Sequence, residues 1–327
     1  GFSLIALGYG LLPLAEFTPV EPKSWLISAQ IIAQTGVAFY FVNGAPFVMT
    51  IALPQERDHV IAASIALWPL TGFVGSLAGG LLPGLFALPL GVSLNNPAPY
   101  RIALFLGAAL MLPAVWAIMK TRRAPDTTPT APIAPPKTPM PLKIITLMFV
   151  VVLFRVMGEG MVRTFLNIYL DAALQMPVAQ IGALLATGQL LAIPAAMAMP
   201  LFAARWGVNA TYIYSSWGIA LSFLPLAFAP HWLGAGLGYM GIIALTSIAR
   251  PTIVSAQMEA VPPRWRTIMT GATSAAVGVG WAAASLSGGY IVTAFGYSPL
   301  FLSGAMLTVV SVLVFLLYHR KPQGKLI

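Results

Sequence analysis

Ten apolar segments of roughly membrane-spanning length follow one another along the chain and constrain its fold more than any other feature. Their approximate bounds are 1–18, 25–52, 60–90, 101–119, 143–170, 178–203, 209–229, 233–258, 267–294 and 298–318. A helix needs about 20 apolar residues to cross about 30 Å of hydrocarbon. Only 8% of the 327 residues are charged, against about a quarter in a soluble domain. The sequence therefore predicts an all-α, multi-pass membrane protein that contacts the lipid bilayer.

Lysine and arginine are distributed unevenly between alternate loops. Twelve of them lie in loops on one side of the predicted topology, whereas Lys23 and Arg101 lie on the other. Basic residues near helix ends stay on the cytoplasmic side. We therefore expect a plasma (inner) membrane protein of a bacterium, with the 120–142 linker and the C terminus in the cytoplasm. The net charge of +9 is explained by this topology, and we expect no nucleic-acid partner.

A proline-rich stretch divides the segments into a group of four and a group of six. Residues 121–141 contain seven prolines, a composition that cannot hold a helix and is typical of an extended linker. The predicted organisation is an N-terminal bundle at 1–119, a cytoplasmic linker at 120–142, and a six-helix bundle with its tail at 143–327.

The first four segments repeat in the last four. With an offset of 209, Pro54–Arg57 aligns with Pro263–Arg266, and Gly79–Gly80 aligns with Gly288–Gly289. Segments 1–4 therefore correspond to segments 7–10, and segments 5 and 6 have no partner within 1–119. We expect that the complete protein carries two more helices before residue 1.

This organisation resembles that of the major facilitator superfamily, in which two parallel six-helix repeats are joined by a basic cytoplasmic loop. The resemblance rests on the Pro-x-x-Arg loops that end at Arg57 and Arg266. The loop 200–207 is also similar to the cytoplasmic signature of that family, although Ala204 stands at its acidic position. The resemblance implies a two-bundle fold with ten of twelve helices present, and secondary active transport by alternating access. We expect a monomer.

The fifth segment carries the clearest candidate site. Arg155, Glu159, Arg163 and Asn167 follow one another at four-residue intervals and form a slowly drifting stripe on one helix. An ion at the centre of a membrane helix costs roughly 2.5–3.5 kcal/mol, so the stripe must face protein or a water-filled cavity. We interpret it as a substrate and coupling site in which the arginines attract an anionic or polar substrate and Glu159 exchanges a proton. The alternative is a structural Arg-Glu-Arg triad.

Further cavity candidates lie on other segments that, by the resemblance, line the central cavity. Arg250 precedes Pro251, which frees a backbone carbonyl beside it. The alternative for Arg250 is that it extends toward the inner interface. Gln30, Gln34 and Asn43 form a weaker polar stripe in the second segment, which hydrogen bonding between helices explains equally well.

Two further sets of residues complete the candidate list. One set is expected to form cytoplasmic gate or loop contacts, with salt bridges from the two acids or simply solvated charges: Glu56, Arg57, Arg205, Glu259, Arg264 and Arg266. The other set consists of small residues that allow close helix packing, either between the two halves as they move or statically within one half: Gly72, Ser76, Gly80, Gly84, Gly280 and Gly288.

Several other functions lack the residues that they need. The chain has no cysteine, and its three histidines are far apart, so we expect no metal, no cofactor and no enzyme activity. The sequence favours a secondary active transporter of a small polar or anionic solute, coupled to protons. The alternatives are a proton-driven multidrug exporter, or a non-transporting membrane sensor on the same scaffold. Two or three buried positive charges against one negative charge favour the anionic substrate.

Overall fold

The computed structural model describes residues 1–19, 21–51, 57–121 and 140–319, and within them the side chains of 41–66, 68, 318 and 319 are not described. All regular secondary structure in the described residues is helical. The helices are α1 Phe2–Leu11, α2 Pro22–Ile51, α3 Arg57–Leu90, α4 Ala98–Ala109, α5 Leu112–Lys120, α6 Leu142–Ile168, α7 Val178–Trp206, α8 Val208–Phe228, α9 Trp232–Ala260, α10 Arg266–Phe295 and α11 Tyr297–His319. Short 3-10 helices cover Leu12–Phe17 and Pro263–Trp265, and a π-helical turn covers Tyr169–Ala173.

Each predicted apolar segment coincides with one helical stretch, so the all-α membrane fold is confirmed. Among the described residues, seven stretches are long and apolar enough to cross a bilayer, and a shorter apolar helix covers Phe2–Phe17. The fourth segment contains two consecutive helices, because α5 starts anew with a proline in its first turn. Large side chains such as Leu88 and Leu286 are 79% exposed, as expected for surfaces that face lipid.

Glycines at positive φ separate two pairs of consecutive helices. Gly207 has φ +81° between α7 and α8, and Gly296 has φ +86° between α10 and α11. A side chain is strained in this backbone region, whereas glycine adopts it freely. These two glycines end one helix and allow the next to begin immediately.

The chain divides into two compact units. The first contains Gly1–Trp68 and Gly75–Pro132, and the second contains Pro69–Val74 and Ile133–Ile327. In the first unit, α1 packs closely on α2. A Cβ atom on Gly8 would lie 2.7 Å from Ala29 O, and one on Gly36 would lie 2.7 Å from Ile5 N. Only glycine permits this approach of the two backbones.

The second unit is built around α6. This helix packs against α9, α10 and α11, while α8 packs on α9 and α11, and α7 packs on α9. Thirteen residues of α6 are buried, which exceeds one face of the helix, so α6 is enclosed by its neighbours. The largest fully buried side chains of the unit include Tyr212, Phe223, Phe301, Phe315 and Met148. A buried polar residue on α6 must therefore be satisfied by protein.

Candidate functional site

Two glycines on either side of Glu159 set the position of α6 within its unit. A Cβ atom on Gly158 would lie 2.8 Å from Gly304 O of α11, and one on Gly160 would lie 2.7 Å from Ala284 Cβ of α10. Both neighbouring helices therefore touch the backbone of α6 at this level. The carboxylate of Glu159 is held at a fixed depth inside the unit, with 3% of the residue exposed.

Glu159 forms ion pairs with three arginines. Arg163 Nε lies 2.6 Å from Oε1, and Arg155 Nη1 lies 3.3 Å from Oε2. Arg250 Nη2, from α9, lies 3.2 Å from Oε1. The sequence analysis placed Arg250 either in the cavity or at the inner interface, and the structure pairs it with Glu159.

The three arginines differ in exposure. The side chain of Arg155 is 6% exposed, whereas those of Arg163 and Arg250 are 29% and 53% exposed. Buried Arg155 Nε has no hydrogen-bond partner among the described residues. Three guanidinium groups against one carboxylate leave the cluster with a net charge of +2. Its excess positive charge is carried to the surface of the unit by Arg163 and Arg250.

A second polar group, which the sequence analysis missed, lies beside Arg155. Tyr212 of α8 is fully buried near Arg155, and its hydroxyl lies 3.3 Å from Ser311 Oγ of α11. Ser311 Oγ donates in turn to Val151 O at 2.8 Å. These hydrogen bonds tie α8, α11 and α6 together behind the ionic cluster. A lone tyrosine or serine in an apolar helix gives no sequence signal that separates this role from ordinary packing.

Several predicted cavity residues lie outside the ionic cluster. Asn167 is exposed near the C-terminal end of α6 and is not among the partners of Glu159. Four residues advance a helix by about 400°, so each step of the stripe rotates by about 40°, and Asn167 is turned away from Arg155. Gln30 and Gln34 are exposed on α2. The side chain of Asn43 lies outside the described residues.

The predicted loop contacts differ from the structure where they can be compared. Glu56 and the side chain of Arg57 lie outside the described residues, and Arg205 is exposed in the last turn of α7. Glu259 is exposed, and none of the ion pairs among the described residues includes it. The expected salt bridge from Glu259 is therefore absent there.

The two arginines near Glu259 make other contacts. Arg266 Nε donates to Met258 O at 3.0 Å, and Arg264 Cζ lies 6.0 Å from the centre of the Trp265 ring. A terminal helix carbonyl needs a donor because the helix has ended. Arg266 supplies that donor.

The small residues of α10 pack within the second unit. A Cβ atom on Gly280 would lie 3.1 Å from Val156 Cγ1, and one on Gly288 would collide with the Phe165 ring. Both contacts are to α6, which is the static arrangement within one half. On α3, Gly72, Ser76 and Gly84 are partly buried and Gly80 is buried. A Cβ atom on Gly84 would meet none of the described residues within 4 Å.

No other chemical centre competes with the ionic cluster in the part of the chain that the structure describes. No group of three or more His, Asp or Glu side chains there could hold a metal ion. Two apolar surface grooves, one lined by α1, α4 and α5 and one by α6 and α11, contain none of the cluster residues.

Comparison with known proteins gives a consistent result. The model of the Major Facilitator Superfamily matches residues 148–326, and a search of the curated proteins gave no match. Three similar solved structures illustrate the fold. A bacterial homolog of the human lysosomal transporter Spinster superposes with a TM-score of 0.66 at 13% identity, covering 98% of this chain and 81% of that chain.

The other two structures are transporters with named substrates. The nucleoside transporter NupG gives a TM-score of 0.62 at 15% identity, covering 97% of this chain and 83% of that chain. The E. coli fucose:proton symporter FucP gives a TM-score of 0.54 at 16% identity, covering 98% and 82%. At these identities the likeness concerns the fold alone.

Proposed function

The chain belongs to the Major Facilitator Superfamily, and on that basis we propose that it is a secondary active transporter that moves a small anionic or polar solute by alternating access. The observation that carries the substrate class is the ionic cluster of α6 and α9. It places a net charge of +2 within apolar helices and exposes two of its three guanidinium groups. Arginine binds carboxylate and phosphate groups through two parallel hydrogen bonds. A cationic substrate would be repelled by the same groups.

Proton coupling through Glu159 is part of the proposal. Glu159 is the carboxylate at the centre of the cluster, and three guanidinium groups hold it. A proton on this group would remove one negative charge and loosen all three ion pairs together. Each guanidinium would then be free to engage the solute, so proton uptake and solute binding would favour each other. One structural neighbour is a fucose:proton symporter.

The remaining parts of the proposal concern placement in the cell. We place the protein in the bacterial plasma membrane as a monomer, with the 120–142 linker and the C terminus in the cytoplasm. In this proposal the predicted bundles at 1–119 and 143–327 act as the two halves of the transport cycle. Gln30, Gln34, Asn43 and Asn167 are proposed as further polar contacts for the solute, and the arginines at helix ends as cytoplasmic loop contacts.

Uptake into liposomes that contain the purified protein tests this function. An inward proton gradient should drive accumulation of radiolabelled organic anions from a panel of mono- and dicarboxylates. Glu159→Gln should abolish the gradient-driven component, because an amide cannot exchange the proton. Asp171→Asn, at an exposed position of the π-helical turn with no ion pair among the described residues, is the matched control and should transport normally.

Other outcomes of the same assay would replace the proposal. Gradient-driven export of lipophilic cations would favour the multidrug exporter. Gradient-driven uptake that persists unchanged in Glu159→Gln would remove the coupling role from this residue. If no solute from anionic, neutral and cationic panels moved, a non-transporting sensor would be the better description.

A further inference from the structure

We infer that Glu159 is a resident counter-anion that occupies the place of an oxyanion, a carboxylate or phosphate group, between Arg163 and Arg250. The incoming group takes over the donors of these two arginines when Glu159 loses its charge. This deepens the proposed function and rests on it for the claim that the bound anion is transported. The binding claim itself can be tested without transport.

The first step is that both exposed arginines bind the same oxygen. Arg163 Nε and Arg250 Nη2 lie 2.6 Å and 3.2 Å from Oε1 of Glu159, although the two arginines are on different helices. Two guanidinium groups that share one oxygen atom lie side by side. Their donors therefore converge on one small region, which is the arrangement that a single carboxylate or phosphate needs.

The second step concerns the donors that remain. A guanidinium group has five N–H donors, and each of these two arginines uses one nitrogen on Glu159. No other hydrogen bond from either group is formed within the part of the chain that the structure describes. The Arg250 side chain is 53% exposed and that of Glu159 is 3% exposed. A ligand therefore reaches the arginines without displacing any other protein group.

The third step is the division of labour within the cluster. Arg155 is buried and binds the other oxygen, Oε2, at 3.3 Å. It keeps Glu159 in place when Arg163 and Arg250 turn to the ligand. Arg155 is thus a positioning residue, whereas the other two arginines contact the anion.

Two events can change the net charge of the ionic cluster: protonation of Glu159 and binding of an anion. From α9 it is faced by Arg250, with Tyr239 near Arg163, and from α8 by Tyr212 near Arg155. The helices α10 and α11 contribute no Asp, Glu, Lys, Arg or His between residues 267 and 317. Loss of the Glu159 charge raises the net charge from +2 to +3, and a bound anion lowers it again.

Calorimetric titration of the purified full chain in neutral detergent tests the inference, with sodium phosphate and sodium succinate as probes and choline chloride as the ionic-strength control. We expect Glu159→Gln to bind at least one probe about tenfold more tightly than the wild type at pH 7.5, because the competing charge is gone. Glu159→Gln should keep this advantage at pH 5.5, because the three arginines hold the Glu159 charge in the wild type at both pH values. Asp171→Asn should behave as the wild type.

A second pair of variants keeps the test decisive if Glu159→Gln folds poorly. Arg250→Gln and Arg163→Gln remove partly exposed donors and should each weaken binding about tenfold or more. Competition by phosphatidylglycerol added to the detergent would identify a lipid headgroup as the source of the phosphate, and absence of competition would identify a free solute. Binding of neither probe to any variant at either pH overturns the inference.

The two proposals fail in different ways. If the wild type accumulates organic anions in liposomes but Glu159→Gln binds the probes no more tightly, the counter-anion inference is wrong and the transport function stands. If the binding pattern appears but no solute is transported, the transport function is wrong and the counter-anion inference stands.

Discussion

The helices α3 and α10 carry the same pattern of small residues, yet their surroundings differ. On α10, Val156 and Phe165 of α6 pack directly against Gly280 and Gly288. A side chain at either glycine would therefore crowd its neighbour. On α3, a Cβ atom on Gly72 would lie 3.2 Å from Gln189 Cδ, whereas one on Gly79 or Gly84 would meet nothing within 4 Å among the described residues. Small residues every fourth position allow close packing, but a helix must lie against them for the packing to exist.

The two helices have different neighbours among the described residues. The helix that packs against the α10 glycines is α6, which corresponds to the fifth apolar segment. In the sequence repeat, this segment has no counterpart within 1–119. Among the described residues, Gly79 and Gly84 of α3 therefore have no neighbour that corresponds to α6. A repeat in sequence gives equivalent positions, whereas the environment of each position depends on which helices are next to it.

The acidic side chains of the two units show the same contrast. In the first unit, Glu16 is half exposed and lies 3.4 Å from Arg101 Nη2, and Arg101 also lies over the Phe17 ring at 5.0 Å. In the second unit, Glu159 is buried and held by three arginines. Exposed ion pairs contribute about 0–1 kcal/mol, whereas breaking a buried pair costs several times more.

The largest difference should appear between Arg155→Gln and Arg101→Gln. Arg155→Gln leaves a buried carboxylate with one partner fewer, and we expect a loss of about 3 kcal/mol, because Arg163 and Arg250 still hold the charge. Arg101→Gln should cost about 1 kcal/mol or less. Reversible unfolding in mixed micelles measures both variants. Equal losses would show that burial does not distinguish the two ion pairs.

Valine at the two aligned glycines is the next test. Gly288→Val drives a branched side chain into the Phe165 ring, and overpacking of this kind costs about 1–3 kcal/mol. Gly79→Val enters open space and should change stability by about 0.5 kcal/mol or less. Melting temperatures of the two variants in the same detergent provide the comparison. A large loss at Gly79 would mean that another helix packs on α3 at this position.

Alanine at a second pair of glycines should give the smallest effects, with opposite signs. In Gly280→Ala the new methyl group lies 3.1 Å from Val156 Cγ1 and 3.2 Å from Leu153 O, so we expect a loss of about 1 kcal/mol. Gly84→Ala gains helix propensity without a contact and should stabilise by about 0.5–1 kcal/mol. The same unfolding measurement checks both, and a stabilised Gly280→Ala would contradict the close packing of α10 on α6.

The pairing of Glu159 with Arg155 and Arg163 could be predicted from sequence because all three lie on one helix. A separation of four residues places side chains on the same face, and helical geometry fixes their distance. The pairing with Arg250 could not be predicted, because the two residues are 91 positions apart and meet only through the packing of α9 on α6. The sequence left Glu259 as either a salt bridge or a solvated charge, and the described residues show an exposed charge without an ion pair. The nearby Arg266 and Arg264 instead contact a backbone carbonyl and an aromatic ring. Proximity in sequence does not tell which of several partners an arginine contacts.

By itself the sequence determined the helical membrane fold, the order of the helices and the stripe of charges on α6. These follow from local rules, since the length of an apolar segment and the spacing of residues on a helix need no knowledge of distant neighbours. Only the tertiary structure decided which glycines pack against a neighbouring helix, that Arg250 pairs with Glu159, and that Arg163 and Arg250 share one oxygen of Glu159. Those features depend on which helices lie against each other, and the energy that selects this packing is spread over many contacts far apart in the chain.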